Sequence, residues 1–99
     1  MPTFMCFLNW TDQGAKNAKE ANKRFQASKS LAEKLGGKLL GAYVTTGDYD
    51  VVATLEMPNG EAMVKFAASI SGSGNARTTT VRAYTPDEFS KLAAEAPTM

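Results

Sequence analysis

Thr3 to Trp10 reads TFMCFLNW, a dense run of apolar and aromatic residues that ends at Thr11-Asp12-Gln13-Gly14. The run predicts a strand feeding a helix start, with Thr11 as N-cap. From Asp12 to Leu35, Ala18, Ala21, Phe25, Ser28, Leu31 and Leu35 recur at helical spacing among Lys and Glu, which predicts one long amphipathic helix closed by Gly36-Gly37. Leu39 to Thr45 and Tyr49 to Glu56 predict two strands joined as a hairpin by Thr46-Gly47-Asp48. Met57-Pro58-Asn59 then opens a second helix capped by Asn59, with Ala62, Met63, Phe66, Ala67 and Ile70 as its apolar stripe. Ser71-Gly72-Ser73-Gly74 ends that helix, and Ala76 to Tyr84 predicts a Thr-rich strand. Thr85-Pro86-Asp87-Glu88 is a capping box with Pro at the first helical position, opening a short C-terminal helix through Phe89 and Leu92.

The order β-α-β-β-α-β plus a short helix predicts an α+β, ferredoxin-like domain spanning residues 1–99. Right-handed crossovers put both long helices on one face of a four-stranded antiparallel sheet, with the first and third strands central. The first strand alternates Phe4, Cys6, Leu8 against Met5, Phe7, and the third offers Val51, Ala53, Leu55 against Val52. Both faces of the central strands are therefore apolar, whereas a one-sided sheet alternates between buried and wet positions. The expectation is a homodimer, with a second copy covering the open sheet face and higher assemblies left open.

Composition narrows the function classes. A chain of 99 residues that is 43% hydrophobic has the length and the apolar content of one folded domain. Eleven basic against ten acidic side chains leave a net charge of +1, without the concentrated positive field that tracks a phosphate backbone, so no nucleic-acid partner is expected. No apolar run approaches the ~20 residues of a membrane span, and the start Met1-Pro2-Thr3-Phe4 lacks the pattern of a secretory signal. A soluble, cytoplasmic protein without a membrane partner is expected. One Cys and no His remove internal disulfides, Cys/His zinc sites and imidazole-assisted nucleophiles. Catalysis would fall to carboxylates, Tyr, Lys, Arg or a cofactor, and the residues point to no particular cofactor or metal.

With Val51, Ala53 and Leu55 toward the helices, the open face is expected to carry Asp50, Val52, Thr54 and Glu56, with Thr78, Thr80 and Arg82 beside them and Asn9 and Tyr43 within reach. Arg82, Asp50, the Thr hydroxyls and a Tyr form the kind of convergent polar group that fixes a small ligand in an apolar cavity. The same charges equally suit pairing between two copies. Asp48 and Asp50 flank Tyr49, and Asp50 is the better acid–base candidate because Asp48 sits where turns favour Asp. The glycine stretches at Gly36-Gly37 and Ser71 to Asn75 run from helix to strand, opposite to a phosphate cradle. Cys6 reads as a small buried hydrophobe, Trp10 as a staple between the first strand and helix, and the Lys16, Lys19, Lys23, Arg24, Lys29, Lys34 series as a solvated helix face.

At Thr46-Gly47-Asp48-Tyr49-Asp50-Val51-Val52 and Gly74-Asn75-Ala76-Arg77-Thr78-Thr79-Thr80-Val81-Arg82-Ala83-Tyr84 the chain resembles the GYD-domain family of small bacterial proteins. The family's triplet appears as Gly47, Tyr49 and Asp50, with Asp48 interposed. The resemblance implies a ferredoxin-like domain that assembles as a dimeric α+β barrel, and implies no catalytic set. Barrels of that architecture include cofactor-poor monooxygenases, haem enzymes and plain binding proteins, and the lack of His here removes proximal-His haem ligation. Two functions follow as expectations. The first is a homo-oligomeric domain holding a small apolar or aromatic molecule near Tyr43, Asp50 and Arg82. The alternative is a cofactor-independent oxygenase or isomerase acting on an aromatic or dicarbonyl substrate, with Asp50 or Tyr43 moving the proton and Arg82 stabilising negative charge.

Overall fold

The computed structural model describes residues 1–99. Strand β1 (Thr3–Trp10) leads into helix α1 (Asp12–Lys16), a 3-10 turn over Ala18–Glu20 and helix α2 (Ala21–Lys34). Strands β2 (Lys38–Val44) and β3 (Val51–Glu56) precede helix α3 (Gly60–Gly72), strand β4 (Ala76–Ala83) and helix α4 (Pro86–Glu95). The four strands form one antiparallel sheet in the order β2-β3-β1-β4. This is the α+β, β-α-β-β-α-β arrangement with β1 and β3 central.

Antiparallel partners share a face, so the register sorts every strand residue. Phe4, Cys6 and Leu8 sit opposite Leu55, Ala53 and Val51, and this face carries the helices. Its core is the cluster of Phe4, Cys6, Leu55, Met57, Met63 and Phe66 with Ala32, Leu39, Ala53 and Ala62. Met5 and Phe7 sit opposite Thr54 and Val52 on the other face, which no element covers. A bulge between Leu39 and Gly41 shifts the parity of β2, turning Tyr43 to the open face with Val52 and Val44 to the helix face with Val51.

The caps form as the residue types dictate. Thr11 accepts from the Gly14 amide and Asn59 from the Ala62 amide at 2.8 Å. Thr85 and Glu88 close both halves of the capping box, and the Thr85 amide holds the Glu88 carboxyl below the ordinary carboxylate range. Beyond its cap α4 buries no residue, and Phe89 and Leu92 stay exposed. The radius of gyration is 15.1 Å, above the roughly 13 Å of a compact chain this long.

The single helix expected over Asp12 to Leu35 is instead broken at Asn17 and re-formed at Ala21. Tertiary contacts override the helical period. Thr11 donates its amide to the Asn75 carbonyl at 3.1 Å and its hydroxyl to the Gly74 carbonyl at 2.6 Å, pinning α1 against the start of β4. Gly14 lies so close that a Cβ would collide with the Asn75 carbonyl. The break frees main-chain carbonyls, and Arg24 takes two of them: Nη1 donates to Asn17 O at 2.8 Å and Nη2 to Gly14 O at 3.2 Å. The predicted third strand also shortens, since Tyr49 and Asp50 belong to the loop before β3.

The close approach at Gly14 gives a direct test. Gly14→Ala is expected to cost about 1–3 kcal/mol of stability because the obstacle is backbone with no room to yield. A denaturant-unfolding midpoint unchanged from the parent would show that α1 is free to lift away from Asn75.

Candidate functional site

A mostly apolar concavity lies on the helix side of the sheet. Residues of α2, α3, β1, β2 and β3 line a cleft of about 680 Å³ that is mostly hydrophobic. Leu8, Phe25, Leu39, Phe66 and Ile70 give it apolar depth, and Trp10 with Ala76 closes one end. The volume is open because the facing positions are small: Ala42 and Ala53 on the sheet, Ser28 on α2 and Ser69 on α3. A volume of this size and character lies within the ~300–1,000 Å³ of small-molecule sites.

The charges expected to converge are kept apart. Arg82 sits opposite Phe4 and Thr80 opposite Cys6, so Thr78, Thr80 and Arg82 lie on the helix face, and the open face of β4 carries Arg77, Thr79 and Val81 instead. The expectation was wrong by one residue. The helices cover only the Ala76 end of β4, where Ala76 is buried and Thr78 half-buried while Thr80 and Arg82 are exposed, so no apolar stripe marks the inner face of this strand. Arg82 clamps the far end of the sheet: Nη1 donates to Thr3 O at 3.1 Å and also bonds Ala83 O, while the guanidinium stacks 4.2 Å from the Tyr84 ring centroid.

Asp50 stands at the other end of β1. Its amide donates to Leu8 O at 2.9 Å and its Oδ2 accepts the Trp10 amide at 2.9 Å. Arg82 pairs with Phe4, so four to six residues of strand, about 13–20 Å, separate it from Asp50. Asp50, Tyr43 and Arg82 therefore form no acid–base constellation within one chain. Asn9 lies exposed on the open face opposite Arg77, and the Tyr43 ring is 73% exposed beside Val52.

The motif residues have separate structural tasks. Gly47 takes φ 106°, a conformation that strains any residue with a Cβ. Tyr49 lays its ring 4.9 Å from that of Phe7 on the open face. Asp50, just before β3 begins, satisfies the Trp10 amide. Thr45 binds the loop back on itself, its amide to Asp50 O at 2.8 Å and its hydroxyl to Tyr49 O at 2.6 Å.

Cys6 lies fully buried beneath α3, as its packing role required, and burial pushes its thiol above the ordinary range, with the Thr80 hydroxyl 3.9 Å from Sγ opposing that shift. No three of the His, Cys, Asp and Glu side chains come together in a way that could hold a metal ion. The lining residue that the sequence reading missed is Arg24, placed there among solvated charges. Its spacing held the signal: Ala21, Arg24, Ser28 and Leu31 form one helical stripe, and all four line the cleft.

The GYD domain family model matches residues 4–93. The crystal structure of TTHA0845 from Thermus thermophilus superposes with a TM-score of 0.54 at 23% identity, covering 86% of this chain and 95% of that one, a likeness of fold. No curated protein matches the sequence.

The role of Asp50 as a strand cap separates two substitutions. Asp50→Ala is expected to lose about 1–3 kcal/mol by leaving the Trp10 amide unpaired, while Asp50→Asn keeps an acceptor oxygen and most of the stability. Hydrogen exchange at the Trp10 amide should quicken in the Ala variant alone.

Proposed function

The chain belongs to the GYD domain family, and from that premise we propose that it is a homodimeric protein that binds a small apolar or aromatic molecule in the cleft between α2, α3 and the sheet. The observation that carries the reading is the cleft itself, about 680 Å³ of mostly apolar lining in a chain of 99 residues. Of the residues expected near the ligand, Tyr43 lines this cleft, and Asp50 and Arg82 lie outside it. The enzyme alternative is less well supported, because Asp50 and Arg82 stand at opposite ends of β1 and only Tyr43 of its residues lines the cleft.

The second copy is argued from the open face. Met5, Phe7, Val52, Val81 and Tyr43 form a contiguous apolar surface across all four strands, and Tyr49 extends it. A second sheet laid on this face would bury it in the manner of aligned sheet packing. The extended α4, with Phe89 and Leu92 uncovered, gives each copy a further apolar element to lay on its partner. A free buried thiol and the absence of any helix long and apolar enough to cross a membrane suit residence in the cytoplasm, where thiols stay reduced.

The two parts of the proposal respond to different substitutions. Ser28→Phe fills the cleft and should abolish the fluorescence enhancement of an apolar dye such as anilinonaphthalene sulfonate while leaving the assembly intact. Val52→Asp buries a carboxylate between the sheets and should convert the dimer to a monomer in native mass spectrometry. A parent protein that is monomeric at micromolar concentration would overturn the sheet-on-sheet assembly, and a parent that leaves the dye dark would overturn the cleft.

A further inference from the structure

The cleft contains one charged side chain. Arg24 lines it from α2, and no Asp or Glu shares the lining. Its guanidinium is oriented by two main-chain carbonyls, Asn17 O at 2.8 Å and Gly14 O at 3.2 Å, which occupy N–H donors without cancelling the charge. The nearest acidic group along the helix, Glu20, is instead 4.0 Å from the Lys23 ammonium on the exposed surface. Three neutral polar side chains in the lining are already engaged: Ser28 Oγ donates to Arg24 O at 2.9 Å, Ser73 Oγ to Ile70 O at 2.6 Å, and Asn75 Oδ1 accepts from Gln13 Nε2 at 3.0 Å.

We infer that the cleft selects an apolar molecule carrying a single anionic group, a carboxylate, with Arg24 as its counter-charge. The inference rests on the binding reading above and assigns the ligand class of the same site. The hydrocarbon body lies against Leu8, Phe25, Leu39, Phe66 and Ile70, and the carboxylate meets guanidinium N–H groups that the carbonyls leave free. A charge-assisted bond in a partly buried setting adds more than a neutral one, and a cationic head group in the same place is repelled. One arginine with no second cation in the lining suits a monoanion better than a phosphate dianion.

Trp10 is the chain's one tryptophan and lines the cleft, so its fluorescence reports occupancy without a label. The wild-type protein is titrated near neutral pH and low ionic strength with decanoate, 1-decanol and decylamine, all below their aggregation limits. Decanoate is expected to bind about tenfold or more tighter than decanol, with decylamine weakest, and added salt should narrow the difference. Arg24→Gln should bring decanoate down to the affinity of decanol without weakening decanol. Because Arg24 also steadies the helix break, the wild-type comparison alone decides the matter. Decanol binding as tightly as decanoate would overturn the carboxylate assignment and leave the apolar cleft standing; no response to any of the three would overturn the cleft as well.

Discussion

Strand β1 is hydrogen-bonded along both edges and apolar on both faces, and the rest of the molecule is arranged around that condition. Its backbone is satisfied by β3 on one side and β4 on the other, each antiparallel. Because β3 begins only at Val51, opposite Leu8, a carboxylate from Asp50 takes the Trp10 amide beyond it. Phe4, Cys6 and Leu8 then need cover on one side, which α2 and α3 supply, while Met5 and Phe7 face outward over a surface that only Tyr49 touches. The two faces of one strand thus separate the two properties of the protein. The helix side holds a recess and the open side holds a flat apolar surface.

The break between α1 and α2 connects the fold to the recess. Docking of Gly14 on Asn75 fixes α1 at the end of the sheet, and the chain has to change direction before it can run back as α2. The turn exposes carbonyls that need donors. Arg24 supplies them from one turn inside α2, so a residue needed for the bend comes to stand at the edge of the cleft with its charge uncompensated. One side chain thus serves the backbone at the bend and sets the charge of the cleft.

Strong local signals made most of the architecture legible in the sequence. Thr11, Asn59 and Thr85 each accept the amide that their position before a helix implied. The β-α-β-β-α-β order with right-handed crossovers placed β1 and β3 at the centre, as the sheet has them. What failed were features set by distant contacts. Strand β4 carries a run of three Thr and few apolar residues, so period-two reading could not choose its parity, and Thr78, Thr80 and Arg82 were assigned to the wrong face. The helix period through Ala18 and Ala21 ran across a break that only the Gly14–Asn75 approach explains. The cleft was illegible for a related reason: it follows from small residues on four separate elements facing one another, and no single segment records that.

A cleft of this kind is costly in a chain so short. Leu8, Phe25, Leu31, Leu35 and Ile70 pack against the core and remain only partly buried, although longer side chains at Ala42, Ala53, Ser28 or Ser69 would close the seam over them. Unfilled apolar volume forfeits both transfer energy and dispersion contacts, at roughly 24 cal/mol per Å³ where it has been measured in protein cores. Selection for stability alone would favour filling it, since one bulky side chain is a single substitution away. The doubly paired β1 is what lets so short a fold carry this space, lined by apolar groups and marked by one cation without an acidic partner.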